Sequence, residues 1–265
     1  MLPIYFINTA RRTDRREFME RQFAALGLVA TRIEAVTPET IDAAVLNRFC
    51  NPSRGHRVRP KELANNLSHQ AAWRDFLAAG ASVGVVFEDD GRLSERLPEF
   101  LALVSDGVPD GVDVIKLETM GRRPLRLSHR HPVALGAFTL RRMLSTHFGA
   151  CGYVITKRLA EAALADPFLN TLVNDAYLFS RHGPILYRRQ VYQCLPALSI
   201  QLDQDGNGRQ SPVARSDVRD DNPVPKPRLR RVTENLRAAS RDARYFGREW
   251  RGLLGPRHPI PFADD

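Results

Sequence analysis

The sequence predicts an α/β fold, because short apolar runs alternate with helical patterns along most of the chain. Residues 2–7 and 82–87 are apolar runs with the length of a buried strand. Residues 62–79 carry apolar side chains at helical spacing and stop at Gly80, a residue type that often ends helices. The chain has 265 residues, 43% of them hydrophobic, so it can bury a sizeable core in one domain followed by a tail.

The remaining elements follow from the same patterns, taken in chain order. Further helices are predicted over residues 14–26, 38–49, 100–104 and 157–165. Further strands are predicted over residues 31–36, 112–117, 135–144 and 152–156. Two prolines, a glycine and three arginines predict an exposed loop over residues 50–60. Residues 203–227 are rich in Asp, Gly, Asn, Ser and Pro, which is typical of a linker.

The charge balance indicates that one partner is anionic. Lys and Arg number 39 against 30 Asp and Glu, which gives a net charge of +9. Such a surplus favours binding to nucleic acid, to acidic lipid or to a phosphorylated substrate, and charge alone does not choose among them.

Cysteine spacing and hydropathy bear on the compartment. Cys50, Cys151 and Cys194 are far apart and form no Cys-x-x-Cys pair, which argues against a disulfide framework or a zinc site. No secretory signal and no run of about 18 apolar residues is present in this sequence. These features predict a cytoplasmic protein, with peripheral binding to the inner face of the membrane left open.

Three consecutive carboxylates, Glu88, Asp89 and Asp90, directly follow the apolar strand predicted at residues 82–87. Ligands in open α/β sheets bind beyond the carboxyl ends of the strands, so the triplet lies where a ligand is expected. Adjacent like charges destabilise the fold unless a cation or hydrogen bonds compensate them. Mn²⁺ or Mg²⁺ would do so, because these ions bind carboxylate oxygens together with substrate phosphates. The alternative is a solvated turn or a helix cap.

Several further segments occur in a characteristic order. They are residues 4–16 (IYFINTARRTDRR), Leu67-Ser68-His69 with Trp73, residues 85–90 (VVFEDD), 113–117 (DVIKL), 149–164 (GACGYVITKRLAEAAL), 174–177 (NDAY), and 199–201 (SIQ) with Ser211. In this order the segments resemble glycosyltransferase family 25, which includes bacterial lipopolysaccharide galactosyltransferases and the catalytic domains of collagen galactosyltransferases. The resemblance covers about residues 2–212.

The resemblance implies a GT-A-like (Rossmann-type) catalytic domain over residues 1–212, with a mixed sheet flanked by helices. It implies a nucleotide-sugar donor, UDP-galactose in the best-known members, and transfer of the sugar to a hydroxyl with inversion. The acceptor would be lipopolysaccharide or another glycan. Mn²⁺ or Mg²⁺ is the expected cofactor, because a divalent ion neutralises the diphosphate leaving group.

Roles for the acidic triplet follow from the resemblance. Glu88 is assigned to the ribose of the donor and to the metal, Asp90 to the metal, and Asp89 to donor binding. Arg15 follows the first predicted strand, where it can pair with the diphosphate, since a guanidinium binds phosphate through two hydrogen bonds. The alternative for Arg15 is a solvated basic helix face.

Three further candidates lie outside the triplet. Ser68 and His69 are assigned to the donor. The alternative, because His69 and Trp73 share one helix face, is a core Trp packed beside a hydrogen-bonded His. Asp175 is the candidate general base that deprotonates the acceptor hydroxyl, because direct displacement needs one such group. The alternative for Asp175 is a helix cap.

Residues 213–265 are predicted to be a linker followed by a basic amphipathic segment. A helix over residues 228–251 would carry one apolar stripe, formed by Leu229, Val232, Leu236, Ala239, Ala243, Phe246 and Trp250. Between residues 226 and 251 there are nine Lys or Arg and three Asp or Glu. This pattern fits a helix lying on anionic lipid or, equally, a helix docked on the core.

Two rival functions remain open from the sequence. A nucleic-acid-binding protein would fit the net charge, but the carboxylates at the candidate site would repel phosphates, so no nucleic-acid partner is expected. A glycosyltransferase-like protein without catalysis would serve as a binding module, and donor hydrolysis would separate it from an enzyme.

Overall fold

The computed structural model describes residues 2–54, 58–121, 124–205, 212–214, 228–249 and 253–264. Its strands are β1 (Ile4–Asn8), β2 (Thr31–Glu34), β3 (Val83–Glu88), β4 (Gly91–Leu93), β5 (Val114–Lys116), β6 (Glu118–Thr119), β7 (Val133–Leu135), β8 (Phe138–Arg142), β9 (Gly152–Thr156), β10 (Val191–Leu195) and β11 (Ser199–Gln201). Its α-helices are α1 (Thr13–Ala25), α2 (Ala43–Cys50), α3 (Pro60–Ala78), α4 (Leu97–Leu103), α5 (Lys157–Leu164), α6 (Asn174–Phe179), α7 (Ile185–Arg188) and α8 (Arg228–Phe246). Most predicted elements are confirmed to within a few residues.

Eight of the described strands form one mixed sheet in the order β2-β1-β3-β9-β5-β10-β8-β7. Strands β2, β1 and β3 are parallel, whereas β9 lies antiparallel between β3 and β5. Strand β10 is parallel to β5, and β8 and β7 complete the sheet in antiparallel pairs. A small second sheet pairs β4, β11 and β6. The predicted α/β class with a mixed sheet is therefore confirmed.

Side chains that alternate along the central strands build an apolar core on each face of the sheet. Tyr5 and Ile7 belong to the cluster that contains Trp73 of α3, whereas Phe6 belongs to the cluster that contains Phe23 of α1. Alternation places neighbouring residues of a strand on opposite faces, so helices cover both faces. This arrangement explains why the central strands are apolar throughout their length.

Two predicted elements have different boundaries in the structure. The single strand predicted over residues 135–144 is a hairpin of β7 and β8, in which Gly136 turns the chain with a φ of 57°. The helix predicted over residues 38–49 is a short 3-10 turn at Pro38–Thr40 followed by α2. Asp42 starts α2 by accepting a hydrogen bond from the backbone N–H of Ala44 at 2.7 Å.

The predicted C-terminal helix is present as α8, and its end is docked on the core. Phe246 is fully buried, and its ring centroid lies 5.2 Å from that of Tyr187. Asp242 accepts a hydrogen bond from the Tyr187 hydroxyl at 2.7 Å and forms an ion pair with Arg181. In contrast, the Leu236 side chain is 65% exposed. Docking on the core, one of the two alternatives, therefore applies to the end of α8.

The predicted stripe is not one continuous surface in the structure. Ala239 and Ala243 are exposed like Leu236, whereas Ala238, which is not in the stripe, is buried. Predictions for the side chains of Leu229, Val232 and Trp250 lie outside the described residues, as do those for Ser211, most of the linker and part of the 50–60 loop. No helix in the described ranges is long and apolar enough to cross a membrane.

The last described residues, 253–264, also contact the body of the fold. His258 forms an isolated β-bridge with Leu125, and Phe262 forms one with Ala197. The Thr119 hydroxyl donates a hydrogen bond to the Ile260 carbonyl at 2.7 Å. The chain end therefore helps to hold the loop after β6 in place. The domain division at residue 212 stays a prediction.

Candidate active site

The carboxyl ends of β1, β3 and β5 meet at one edge of the sheet, because the three strands run in the same direction. Asn8, Glu88 and Lys116 are the last residues of these strands. The antiparallel strand β9 begins at the same edge with Gly152. As predicted from the sequence, the acidic triplet lies at this edge.

Asp89 is held between two polar side chains from neighbouring elements. One oxygen of Asp89 accepts a hydrogen bond from the Asn8 amide at 2.7 Å, and the other pairs with Arg15 Nη1 at 2.6 Å. Burial raises the pKa of Asp89, and the charge of Arg15 opposes this rise. Arg15, predicted to bind phosphate, is nearly buried and in this structure faces the carboxylates.

Asp90 is the least compensated carboxylate of the triplet. Arg15 Nη2 lies 3.4 Å from Asp90 Oδ2, whereas Asp90 Oδ1 is buried without a hydrogen-bond partner. Burial raises the pKa of Asp90 to about 7, and the charges of Glu88 and Asp89 add to this rise against the effect of Arg15. An additional cation close to Oδ1 would therefore stabilise the ionised form of Asp90.

Glu88 is enclosed by hydrogen-bond donors from three side chains. Its Oε1 lies 3.2 Å from His69 Nε2 and 3.4 Å from the Asn65 amide, and Oε2 lies 3.3 Å from the Gln201 amide. Burial would raise the pKa of Glu88, but hydrogen bonding to His69 and Asn65 lowers it below its ordinary value. Glu88 is therefore held ionised in a fixed orientation.

His69 is buried and connects Glu88 to the core. Its Nδ1 lies 2.9 Å from the Tyr153 hydroxyl, which also accepts a hydrogen bond from Trp73 Nε1 at 2.8 Å. Nδ1 of His69 therefore faces Tyr153, and Nε2 faces Glu88. His69 and Trp73 are thus both buried and both contact the Tyr153 hydroxyl, which is the packing that the core alternative predicts, and the His69 ring also contacts Glu88. Contact of His69 with the donor stays a prediction.

The side chain of Ser68, which is predicted to bind the donor, lies between α3 and the segment after β2. Its side chain is buried, its hydroxyl donates to the Ala64 carbonyl at 2.8 Å, and the same oxygen accepts from the Val36 N–H at 2.9 Å. These contacts join α3 to the segment after β2. In this structure Ser68 is buried at this junction, and its contact with the donor stays a prediction.

A buried ion pair lies beside the triplet. Lys116 Nζ lies 2.9 Å from Glu118 Oε2, and both side chains are fully buried. Lys116 also donates to the Gly149 carbonyl, and Glu118 accepts from the Cys151 N–H at 3.1 Å. Gly149 has a φ of 90°, and a Cβ there would overlap the Glu118 carboxylate. The pair therefore fixes the turn that precedes β9.

This turn orients Asp175, the candidate base. The Gly149 N–H donates to Asp175 Oδ2 at 2.8 Å. Asp175 is the second residue of α6, and the N-cap of this helix is Val173. Asp175 therefore lies in the first helical turn, as the capping alternative requires, but not at the N-cap position. Burial raises the pKa of Asp175 above its ordinary value, and the charge of Glu88 adds to this rise. A carboxylate of raised pKa is suited to accept a proton.

Sequence reasoning did not assign roles to several residues at this edge. Asn8 could have been found, because it ends a strand parallel to the one that carries the triplet. Lys116 is a charged residue within an apolar strand, which is a second usable signal. Asn65 and Tyr153 give no such signal, since their roles depend on which elements pack together.

The described residues fit a divalent ion only together with a ligand. No group of three or more His, Cys, Asp or Glu side chains in the described part of the chain is arranged to hold a metal. Asp90 nevertheless has a buried carboxylate oxygen without a partner. Mg²⁺ and Mn²⁺ typically use one or two carboxylates and complete their coordination with phosphates and water. Such a donor set is consistent with a metal that arrives with a diphosphate.

Comparison with known proteins gives a consistent family. Residues 1–167 match the model of glycosyltransferase family 25 (LPS biosynthesis protein). The lacto-N-neotetraose biosynthesis glycosyltransferase LgtE of Neisseria meningitidis serogroup B is 25% identical over 211 residues, which cover 74% of this chain and 73% of LgtE. LgtB of Neisseria gonorrhoeae is 28% identical over 159 residues, which cover 58% of this chain and 57% of LgtB.

Some relatives are much longer than the matched region. The inactive glycosyltransferase 25 family member 3 of Mus musculus is 27% identical over 113 residues, which cover 40% of this chain and 19% of the mouse protein. The chain thus spans about a fifth of that relative and less than two thirds of LgtB.

Proposed function

Because the chain belongs to glycosyltransferase family 25, we propose that it is an inverting glycosyltransferase that takes galactose from UDP-galactose. The acceptor is a hydroxyl of lipopolysaccharide or of another glycan. The names of LgtB and LgtE, which describe lacto-N-neotetraose biosynthesis, support a glycan acceptor. Two carboxylates at this edge of the sheet carry the proposal. The negative charge of Asp90 is not fully compensated, and the pKa of Asp175 is raised.

Different side chains act on the acceptor and on the donor. Asp175 takes the proton of the acceptor hydroxyl, and the acceptor oxygen then attacks the anomeric carbon of the donor sugar. The bond from that carbon to the diphosphate breaks, so the new glycosidic bond has the opposite anomeric configuration. Arg15 turns to the diphosphate when the nucleotide binds, because a guanidinium forms charge-assisted hydrogen bonds with phosphate.

Asp90 and Glu88 are the residues that would hold Mn²⁺ or Mg²⁺. A divalent ion there would neutralise the charge that develops on the diphosphate leaving group. The partnerless oxygen of Asp90 supports this role, since bound cation would lower its pKa and offset the repulsion within the triplet. Asp89 keeps Arg15 beside the donor, and His69 keeps Glu88 oriented.

A second candidate function is a binding module without catalysis. Arg15 bridges Asp89 and Asp90, and a guanidinium in that position can compensate the triplet without any metal. One relative is also named an inactive family member. This candidate predicts that the protein binds a nucleotide sugar and releases neither free sugar nor a transfer product.

Calorimetry and donor hydrolysis together test these two functions. We expect UDP to bind at least tenfold more tightly with Mn²⁺ than with EDTA, because a divalent ion held by Asp90 and Glu88 would neutralise charge on the diphosphate. Slow hydrolysis of UDP-galactose with Mn²⁺ would support an enzyme. Binding of UDP-galactose without hydrolysis or transfer would support the binding module. Equal affinity for UDP with Mn²⁺ and with EDTA would mean that Arg15, and not a metal, neutralises the diphosphate. No binding of any nucleotide sugar refutes both functions.

We also propose that the exposed side of α8 rests on an anionic membrane at the cytoplasmic face. Arg237 and Arg244 are exposed near Leu236, and each basic residue at such a surface contributes about 1 kcal/mol. The double variant Arg237→Gln/Arg244→Gln should weaken binding to vesicles with anionic lipid, and salt should weaken binding of the unmodified chain. The control Arg21→Gln/Lys157→Gln removes two charges elsewhere. Equal losses in both double variants would refute a specific role for α8.

A further inference from the structure

A cavity of about 340 Å³ lies on the other side of the turn that orients Asp175. It lies between the loop after β6, the segment that joins β8 to β9, and the C-terminal stretch. The residues that line it are Met120, Pro124, Leu125, Arg126, Ser145, Thr146, His147, Phe148, Arg181 and Arg257. None of the roles derived above for donor, metal or base uses this cavity.

The cavity shares a wall with the candidate base. Residues 145–148 line it on one side, and Gly149, which follows this segment, donates to Asp175 at 2.8 Å. The His147 N–H donates to the Phe179 carbonyl at 3.1 Å, which ties the segment to the end of α6. Lys116, which anchors the same turn, lies 3.5 Å from the Phe148 carbonyl. A ligand in the cavity would therefore contact the segment that leads to Gly149, the hydrogen-bond donor to Asp175.

The cavity is basic. Three of its described lining residues are arginines, and none of them is Asp or Glu. Arg181 is compensated by Asp242, whereas Arg126 and Arg257 form no ion pair with any described residue. Arg126 Nε is buried without a hydrogen-bond partner, and such a charged donor favours an anion that satisfies it.

We propose that this cavity, the arginine pocket, binds an anionic group, a phosphate or a carboxylate, carried by the acceptor glycan. A guanidinium matches either group with two parallel hydrogen bonds. The Ser145 hydroxyl oxygen accepts from the Arg126 N–H at 2.9 Å, so its O–H stays able to donate to a ligand. Anchoring the acceptor there holds its reactive hydroxyl towards Asp175. This inference rests on the proposed transfer reaction and names the chemical class of its acceptor.

The geometry separates the arginine pocket from the donor side. Arg15 and the triplet lie at the ends of β1 and β3, whereas the pocket lies beyond the turn that precedes β9. An anion next to the triplet would be repelled unless a metal intervened, whereas the residues that line the pocket include three arginines and no Asp or Glu. Two anionic ligands can thus bind without competing.

Binding of soluble probes to the full chain tests the proposal. With UDP and Mn²⁺ present to occupy the donor side, galactose 6-phosphate, galacturonate and galactose are titrated by NMR. We expect at least one of the two anionic sugars to bind at least tenfold more tightly than galactose. Arg126→Gln should weaken that binding about tenfold, and Arg257→Gln, on an exposed side chain, should weaken it severalfold. Arg21→Gln, far from the pocket, should leave it unchanged.

Each other outcome overturns the proposal. Equal binding of all three sugars, or anion binding that Arg126→Gln and Arg257→Gln leave unchanged, removes the pocket as an anion site. Loss with Arg15→Gln but not with Arg126→Gln assigns the anion to the donor side. If vesicles of phosphatidylglycerol bind in an Arg126-dependent way and neither soluble anion does, the ligand is a lipid headgroup and not an acceptor group.

The proposed function fails in a distinguishable way. UDP affinity with Mn²⁺, measured on the same samples, should be the same for the unmodified chain and for Arg126→Gln. Absent UDP binding refutes the glycosyltransferase proposal, whereas the sugar titrations still report on the arginine pocket. Transfer assays test the arginine pocket separately. The Arg126→Gln variant should have a higher KM for an anionic acceptor and an unchanged KM for UDP-galactose.

Discussion

Asp90 and Glu118 are two carboxyl groups at the same edge of the sheet, and burial raises the pKa of each to about 7. Each also has one buried oxygen without a hydrogen-bond partner. The two carboxyl groups differ in solvent exposure and in the basic residue that each one contacts. The Asp90 side chain is 15% exposed beside Arg15, whereas the Glu118 side chain is completely buried against Lys116.

This difference teaches that a perturbed pKa alone does not identify a ligand-binding group. Asp90 can reach a metal or a diphosphate, because part of its side chain faces solvent. Glu118 cannot, and its contacts go to the turn at Gly149 and Cys151. Glu118 is therefore a positioning residue, and Asp90 is the candidate for direct contact with a ligand.

The largest expected effect concerns the buried pair. Lys116→Met leaves Glu118 buried without its partner, so the free energy of unfolding should fall by about 3–5 kcal/mol. Urea unfolding measures this change. The control Lys157→Met removes an exposed lysine 3.8 Å from Glu161 and should change stability by less than about 0.5 kcal/mol. A similar small change for Lys116→Met would break the distinction between the two carboxyl groups.

The second effect concerns Asp90 itself. Asp90→Asn should reduce transfer at least about 100-fold while the protein stays folded, because the change removes a charge at nearly constant volume. Asp106→Asn, on an exposed residue far from the triplet, is the matched control. Circular dichroism and the rate of galactose transfer are the measurements. A folded Asp90→Asn protein with unchanged turnover would contradict the assignment of Asp90 to the metal.

The third effect links the two regions. Gly149→Ala should cost about 2 kcal/mol of stability, because its φ of 90° strains an alanine and the new Cβ meets the Glu118 carboxylate. Transfer should fall further than the loss of folded protein explains, since Asp175 loses the orienting N–H of residue 149. Gly111→Ala, at a φ of 80° with open space around it, controls for backbone strain alone. Equal activity losses in both variants would contradict the link.

The smallest effect is on pH dependence. The raised pKa of Asp90 means that the native state holds a proton that the unfolded chain has already lost, so stability falls as pH rises from about 4 to 7. Between pH 6 and 7.5 we expect this loss to be about 1 kcal/mol smaller for Asp90→Asn than for the unmodified chain. Adding Mn²⁺ with UDP should reduce the contribution of Asp90 to the pH dependence of stability, because a bound cation favours the ionised carboxylate. The contribution of Glu118 should not change. Identical pH curves for Asp90→Asn and the unmodified chain would contradict the shifted pKa.

The sequence by itself determined the α/β class, most helices and strands, and the edge at which the acidic triplet lies. These features are local, because periodicity and the turn residues that follow each strand are encoded within short stretches. Asn8 and the triplet could be placed together for the same reason, since parallel strands end at one edge. The motif order also indicated the family.

Only the tertiary structure decided how these polar residues pack and which partners they contact. Ser68 and His69 look alike in the motif, yet one holds the segment after β2 and the other holds Glu88, because packing of α3 on the sheet buries both. The docking of Phe246 and the arginine pocket depend on contacts between residues far apart in the chain. Such contacts leave no periodic signal, since they arise from how completed elements pack.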